Sequence, residues 1–279
     1  MKRSIIAGTV VCLILPLASC ISEVKPRRPD ETVVASPKHL WTVVSNSAMV
    51  ANPEYRFLMG DELEPVPGGY EFRFIGTAPK PNDGQSVSFE SPFTALITMS
   101  GDVQNVSKLR STSLSPAIAE FGSVIRKVHS ENLPRKFKQG TMATAMIEFD
   151  KPETEKSLGL EDGPSEDVFL SRQRPGARPI YWSSQAGCSS NGLPDPCIDY
   201  SSVSQFRSWV SQLTAADDRI LGRFGLNLAD LQQAAADGRV YGVIVDVSPY
   251  GLRQRLKRGN IRSVWVAELR TCRIKKECP

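Results

Sequence analysis

Val240-Tyr241-Gly242-Val243-Ile244-Val245 is a nearly unbroken apolar run of strand-forming residues. A strand covered on both faces reads this way, whereas a strand open to water on one side alternates. Ser248-Pro249 follows. A serine caps the free amides of a helix start, and a proline at the first helical position gives up only a bond it would not make. Gly259 closes that helix, and Ile261 to Ala267 returns as strand. Strand, helix and strand in this order predict two parallel strands joined by a right-handed crossover.

Upstream, Val203, Phe206, Trp209, Val210 and Leu213 fall on one helical stripe. Asn227 caps a further helix through Leu228, Leu231 and Ala234 to Ala236, stopped by Gly238. Thr141 to Phe149 alternates toward strand, and Val168-Phe169-Leu170 and Pro179 to Trp182 are shorter strand candidates. Ile118, Phe121, Val124, Ile125 and Val128 predict a helix with Ser115 as N-cap and Pro116 at its first position. From about residue 40 to 110 the signals are mainly strand. Tyr70 to Phe74 alternates strictly, Val87-Ser88-Phe89 and Ala95 to Met99 flank a break at Ser91-Pro92, and Leu40 to Val44 is another candidate. The expected fold class is α+β, a mixed sheet with helices packed on it. Residues 38–110 form an N-terminal β-rich region, and residues 111–279 an α/β domain with a C-terminal β-α-β unit.

The start of the chain carries an address. Lys2 and Arg3 precede thirteen mostly apolar residues, Ile5 to Leu17, and then Leu17-Ala18-Ser19-Cys20. This is the charge, length and small-residue pattern of a secretory signal. The apolar run is shorter than the roughly 20 residues a membrane-spanning helix needs. Leu17-Ala18-Ser19-Cys20 resembles the lipobox of bacterial lipoproteins. The resemblance implies cleavage before Cys20, a thioether-linked diacylglycerol on that cysteine and an extracytoplasmic protein held at a bacterial membrane. Dual acylation contributes about 0.8 kcal/mol per buried methylene, enough for stable anchoring. Residues 1–19 are then the signal peptide. Residues 20–37, with prolines and mixed charge, read as an extended tether.

Export also bears on the cysteines. With Cys12 removed and Cys20 lipidated, Cys188, Cys197, Cys272 and Cys278 remain. An oxidising compartment favours disulfides, and four cysteines allow three connectivities. Proximity favours Cys188 with Cys197 and Cys272 with Cys278. The spacings lack the Cys-x-x-Cys knuckles of a zinc site.

Charge is unevenly placed. Residues 251–279 hold nine basic residues against Glu268 and Glu277, while residues 20–250 hold 23 basic and 28 acidic. Arg253, Arg255, Lys257, Arg258, Arg270, Arg273, Lys275 and Lys276 are candidates for an anionic lipid or envelope surface, and a solvated basic face is the plainer alternative.

A second resemblance is spread more thinly. Gly140-Thr141 leads through an alternating strand to Phe149-Asp150-Lys151-Pro152, and Val240 to Val245 is followed by Ile261-Arg262. Residues 115–269 are similar in these features to the extracytoplasmic C-terminal domain of certain bacterial anti-sigma factors. The resemblance implies a non-enzymatic sensory or interaction module. The chain lacks the sigma-binding part and the transmembrane helix of that family, so sigma-factor inhibition does not carry over.

Catalytic signatures are missing. No Gly-x-Ser-x-Gly, His-Glu-x-x-His, Walker or Gly-x-Gly-x-x-Gly pattern occurs. His39 lies near the tether, and His129 suits a helix C-terminus. A nucleophile from Cys188 with His129 competes poorly with a disulfide. The acidic turn Glu161 to Asp167 could offer oxygens to calcium but lacks EF-hand spacing, so a solvated turn is the expectation. Trp209 and Trp265 are expected in the core. The reading is a tethered envelope lipoprotein that is not an enzyme, takes no cofactor, metal or nucleic acid, and binds an envelope protein or anionic component. One alternative is an envelope hydrolase using a pair among Glu148, Asp150, Glu153 and Glu155, which needs two carboxyls about 5–9.5 Å apart. The other is a solute-binding lipoprotein.

Overall fold

The structure is a computed structural model, and it describes residues 36–59, 63–78, 89–123, 141–159, 167–172, 178–183, 201–257 and 259–271. In chain order these form α1 (Pro37–Ala51), β1 (Arg56–Met59), β2 (Glu64–Val66), β3 (Gly69–Ala78), β4 (Phe89–Thr98), β5 (Val103–Gln104), α2 (Ser115–Glu120), β6 (Thr141–Glu153) and α3 (Glu155–Leu158). They continue with β7 (Asp167–Phe169), β8 (Tyr181–Trp182), α4 (Ser202–Ser211), α5 (Asp218–Arg223), α6 (Leu228–Asp237), β9 (Val240–Val247), α7 (Pro249–Leu256) and β10 (Ile261–Thr271). The protein is α+β, with two antiparallel sheets. One has the order β1-β3-β4-β5, with β2 also paired to β3, and the other has the order β10-β6-β9-β7-β8.

Strand β9 is an inner strand covered on both sides, as its apolar run requires. Val240, Val243 and Val245 join the main apolar cluster, while Ile244 joins a second cluster with Phe121, Phe169 and Tyr181. The unit β9-α7-β10 is present, and its two strands run the same way. They are not neighbours. β6 lies between them and is antiparallel to both, so the two strands are parallel as expected but do not pair, and each described pairing in this sheet is antiparallel. The capping signals hold. Ser248 accepts from the amide of Gly251, Asn227 from that of Asp230, and Gly238 ends α6 at φ +56°.

Helix α1 corrects the strand expected at Leu40 to Val44. Ser36 accepts from the amide of His39, and Pro37 sits at the helix start, so the final residue of the expected tether is helical. Leu40, Trp41 and residues 43–51 are all buried. A helix enclosed on every side has no polar stripe, and its β-branched residues Val43 and Val44 imitate a strand. Trp41 stacks on Phe72 at 5.7 Å and meets Phe74 at 5.0 Å, which seats α1 on the apolar face of the first sheet.

The break expected at Ser91-Pro92 is also absent, because β4 runs through it. Pro92 stands opposite Ile75 of β3, while β5 pairs only with Leu96 and Ile97. Proline is tolerated where a strand has a ladder partner on one side only. Helix α2 stops at Glu120. Its N-cap is Leu114 and not Ser115, whose hydroxyl accepts instead from the amide of Thr112 at 2.8 Å. Val124, Ile125 and Val128 lie outside the described residues. The described residues fall within one compact unit, in which a single apolar cluster includes residues from Leu40 to Val264.

Candidate functional site

Where α1 ends, the chain builds one side of a cleft. The Asn52 side chain donates to the carbonyl of Ala48 at 2.7 Å and turns the backbone through Glu54 to Tyr55. The Tyr55 hydroxyl donates to the carbonyl of Arg110 at 2.6 Å, which fixes the irregular segment after β5. Asn105 takes a left-handed φ of +51° at the exit from β5. Ser107 is then pinned to β4: its amide donates to the Thr94 carbonyl, and its hydroxyl accepts from the Thr94 amide at 3.0 Å. Opposite stand α2 and the end of α5, where Phe224 packs against Phe93 at 6.4 Å. The cleft is open to solvent on one side and has a volume of about 550 Å³.

The cleft is lined by Lys108, Arg110, Arg178 and Arg223 against one acid, Glu54. Burial pushes the Glu54 carboxyl up, against the pull of its own backbone, of Arg178 and of Ser115. Arg178 donates to the Ala51 carbonyl at 2.7 Å. Phe93, Val106, Leu109, Ile118 and Phe224 supply apolar wall. A concave site with apolar walls and a few converging polar groups is the usual form of a small-molecule pocket.

A second polar group ties the two sheets together. Arg56 of β1 reaches Asp246 of β9 at 3.1 Å and Asp167 of β7 at 3.9 Å. Thr144 also donates to Asp246. Asp167 is buried and accepts from Ser183 and Tyr181. Burial raises the Asp167 carboxyl, partly opposed by Arg56 and these donors. Burial and the neighbouring Asp167 carboxylate raise Tyr181 well above the usual phenol range, so it stays a donor. At the other end of the sheet, Glu148 lies between Arg262 at 3.5 Å and Arg172 at 3.7 Å, and burial raises its carboxyl too.

The pH consequence has a defined sign. A carboxyl raised in the folded state binds more protons there than in the unfolded chain, so its contribution to stability falls as pH rises from the ordinary carboxylate value through the raised one. Asp167→Asn removes that contribution. Wild type should therefore lose stability relative to Asp167→Asn between pH 4 and the raised value, as read by urea unfolding at a series of pH values. A wild type that gains on the variant as pH rises would contradict the assignment.

Compared with known proteins, the chain matches no family, no curated sequence and no solved structure.

The carboxylates considered for hydrolysis do not border the cleft. Glu153 accepts from Ser157 and Asn260, Glu155 accepts from the amide of Val203 at the start of α4, and Asp150 is exposed beside Asn260. Of the acidic turn, only Asp167 is described, and it is a buried partner of Arg56 rather than part of a solvated turn. His39 bonds Asp217 at 2.8 Å. Trp209 is buried, while Trp265 is half-buried and donates to the Ser113 carbonyl at 3.0 Å. In the basic end, α7 turns Leu252 fully inward and leaves Arg253 and Lys257 exposed, with Arg255 half-buried. Cys20, Cys188, Cys197, Cys272, Cys278, His129, Arg258, Arg273, Lys275 and Lys276 lie outside the described residues, as does the side chain of Arg270. Sequence reading missed Glu54, Lys108, Arg110, Arg178 and Arg223. They come from four separate segments and share no spacing.

Proposed function

We propose that the chain is an exported lipoprotein, anchored through diacylglycerol on Cys20, whose folded part binds a component of the cell envelope without transforming it. The cleft between α1, the 105–111 segment and α5 carries this reading. It has the size of a ligand pocket, and its lining offers cations and apolar wall around the half-buried Glu54. Hydrolysis by paired carboxyls would need two acids flanking the bond. Glu54 is the single acid among the described lining residues, which favours capture over cleavage. The similarity of residues 115–269 to a sensory domain points the same way, as does the lipobox at Leu17 to Cys20.

Two arms test the reading. Cys20→Ser should abolish labelling by radioactive palmitate and release the protein from membranes, and continued labelling would remove the anchor. A photoreactive phenylalanine analogue at Lys108 should form an adduct in intact cells, whereas the same group at exposed Ser208 on α4 should not. Equal yields at both positions would overturn the cleft as the binding site.

A further inference from the structure

We infer that the cleft takes an organic phosphate, a doubly charged head carried on an apolar body. The inference rests on the reading of the cleft as a ligand site and names the chemistry that site selects. Four cations converge there, from three parts of the chain. Lys108 and Arg110 belong to the segment after β5, Arg178 precedes β8, and Arg223 ends α5. Lys108 and Arg223 are exposed and have no side-chain partner among the described residues. Arg178 uses one nitrogen on the Ala51 carbonyl, which orients a guanidinium whose other N–H groups bond no described residue.

The balance of charge selects the ligand. The one opposing acid among the described lining residues, Glu54, is half-buried with its carboxyl raised, and its hydrogen bond to Ser115 is long at 3.4 Å. A lone carboxylate ligand brings a single charge to a lining that offers Lys108, Arg178 and Arg223 beside Arg110. A phosphate monoester brings about −1.5 to −2 charges and three acceptor oxygens, which matches several donors arriving from different directions. Phe93, Ile118 and Phe224 line the same space and give an apolar body a place to sit. Inorganic phosphate satisfies the cations but not this wall. The cleft volume of about 550 Å³ suits a small molecule.

The test is titration calorimetry on the whole chain, purified from membranes in a nonionic detergent. Four probes are compared: phenyl phosphate, inorganic phosphate, neutral phenyl glucoside, and short-chain dihexanoyl phosphatidic acid. Phenyl phosphate should bind more tightly than inorganic phosphate or phenyl glucoside. Tighter binding of the phosphatidic acid would identify a lipid head group as the source, and tighter binding of phenyl phosphate a compact ester. Lys108→Ser combined with Arg223→Ser should weaken binding by about tenfold, a loss of roughly 1.4 kcal/mol. Both side chains are exposed and bond no described residue, so the variant should keep its melting temperature. The inference is overturned if neither phosphate ester binds, or if the double variant binds them as wild type does. Phenyl glucoside binding alone, with the Lys108 adduct still formed, would leave a ligand cleft and remove the phosphate. Loss of the Lys108 adduct would remove the cleft itself.

Discussion

Trp182→Ala should destabilise the protein by about 3–5 kcal/mol, the range found when a large aromatic is removed from a core that cannot collapse. Trp182 is fully buried at the end of the short strand β8. It stacks on Trp209 with ring centroids 5.4 Å apart and meets Phe206 edge-on at the same distance. Among the described residues β8 pairs only with β7, so the anchoring of α4 to this part of the sheet depends on these rings. The indole N–H has no hydrogen-bond partner among the described residues, so the penalty comes from lost packing and not from a broken bond. Trp182→Phe should accordingly cost less than about half as much, since a volume-near aromatic swap is tolerated better than truncation. Urea unfolding of both variants checks this. A loss below about 1 kcal/mol for the alanine variant would show that the α4 side relaxes to fill the space.

What was legible in the chain was local. Asn227, Gly238 and Ser248 declare helix ends because a cap is a bond between neighbours in sequence, and Val240 to Val245 declares burial because every side chain in it is apolar or small. The same cap signature stood at Ser36-Pro37. The strand-like composition of Leu40 to Val44 hides it, since propensity describes an exposed or half-exposed segment and α1 is neither. The insertion of β6 between β9 and β10 could not be read at all. Its pairing joins Thr141 to Thr271 and Phe149 to Ile261, and nothing within either segment names its partner. The cleft was hidden for the same reason. Glu54, Lys108, Arg178 and Arg223 meet only through the fold, and each reads alone as an ordinary surface charge.

Gly242→Val should be strongly damaging, at about 3 kcal/mol or more. Gly242 sits in the centre of β9, opposite Glu148 on one side and Phe169 on the other. A Cβ there would lie 2.5 Å from the Ile147 carbonyl oxygen and 2.8 Å from the ring of Phe121. The ring could move only by breaking its stack on Phe169, whose centroid is 4.3 Å away, and the carbonyl belongs to the neighbouring strand. Both escapes are therefore costly, which is why glycine interrupts an otherwise bulky run. Phe121 directly follows α2, and α2 carries Ser115, Ile118 and Ala119 on the wall of the cleft. Displacing Phe121 should thus loosen that wall as well as the core. Gly242→Ala, with the same Cβ and nothing beyond it, separates the two effects. It should lower the melting temperature less than the valine change while still weakening capture of phenyl phosphate. An alanine variant with wild-type stability and wild-type binding would mean that Phe121 is free to move, and that the seat of α2 does not depend on the missing side chain at residue 242.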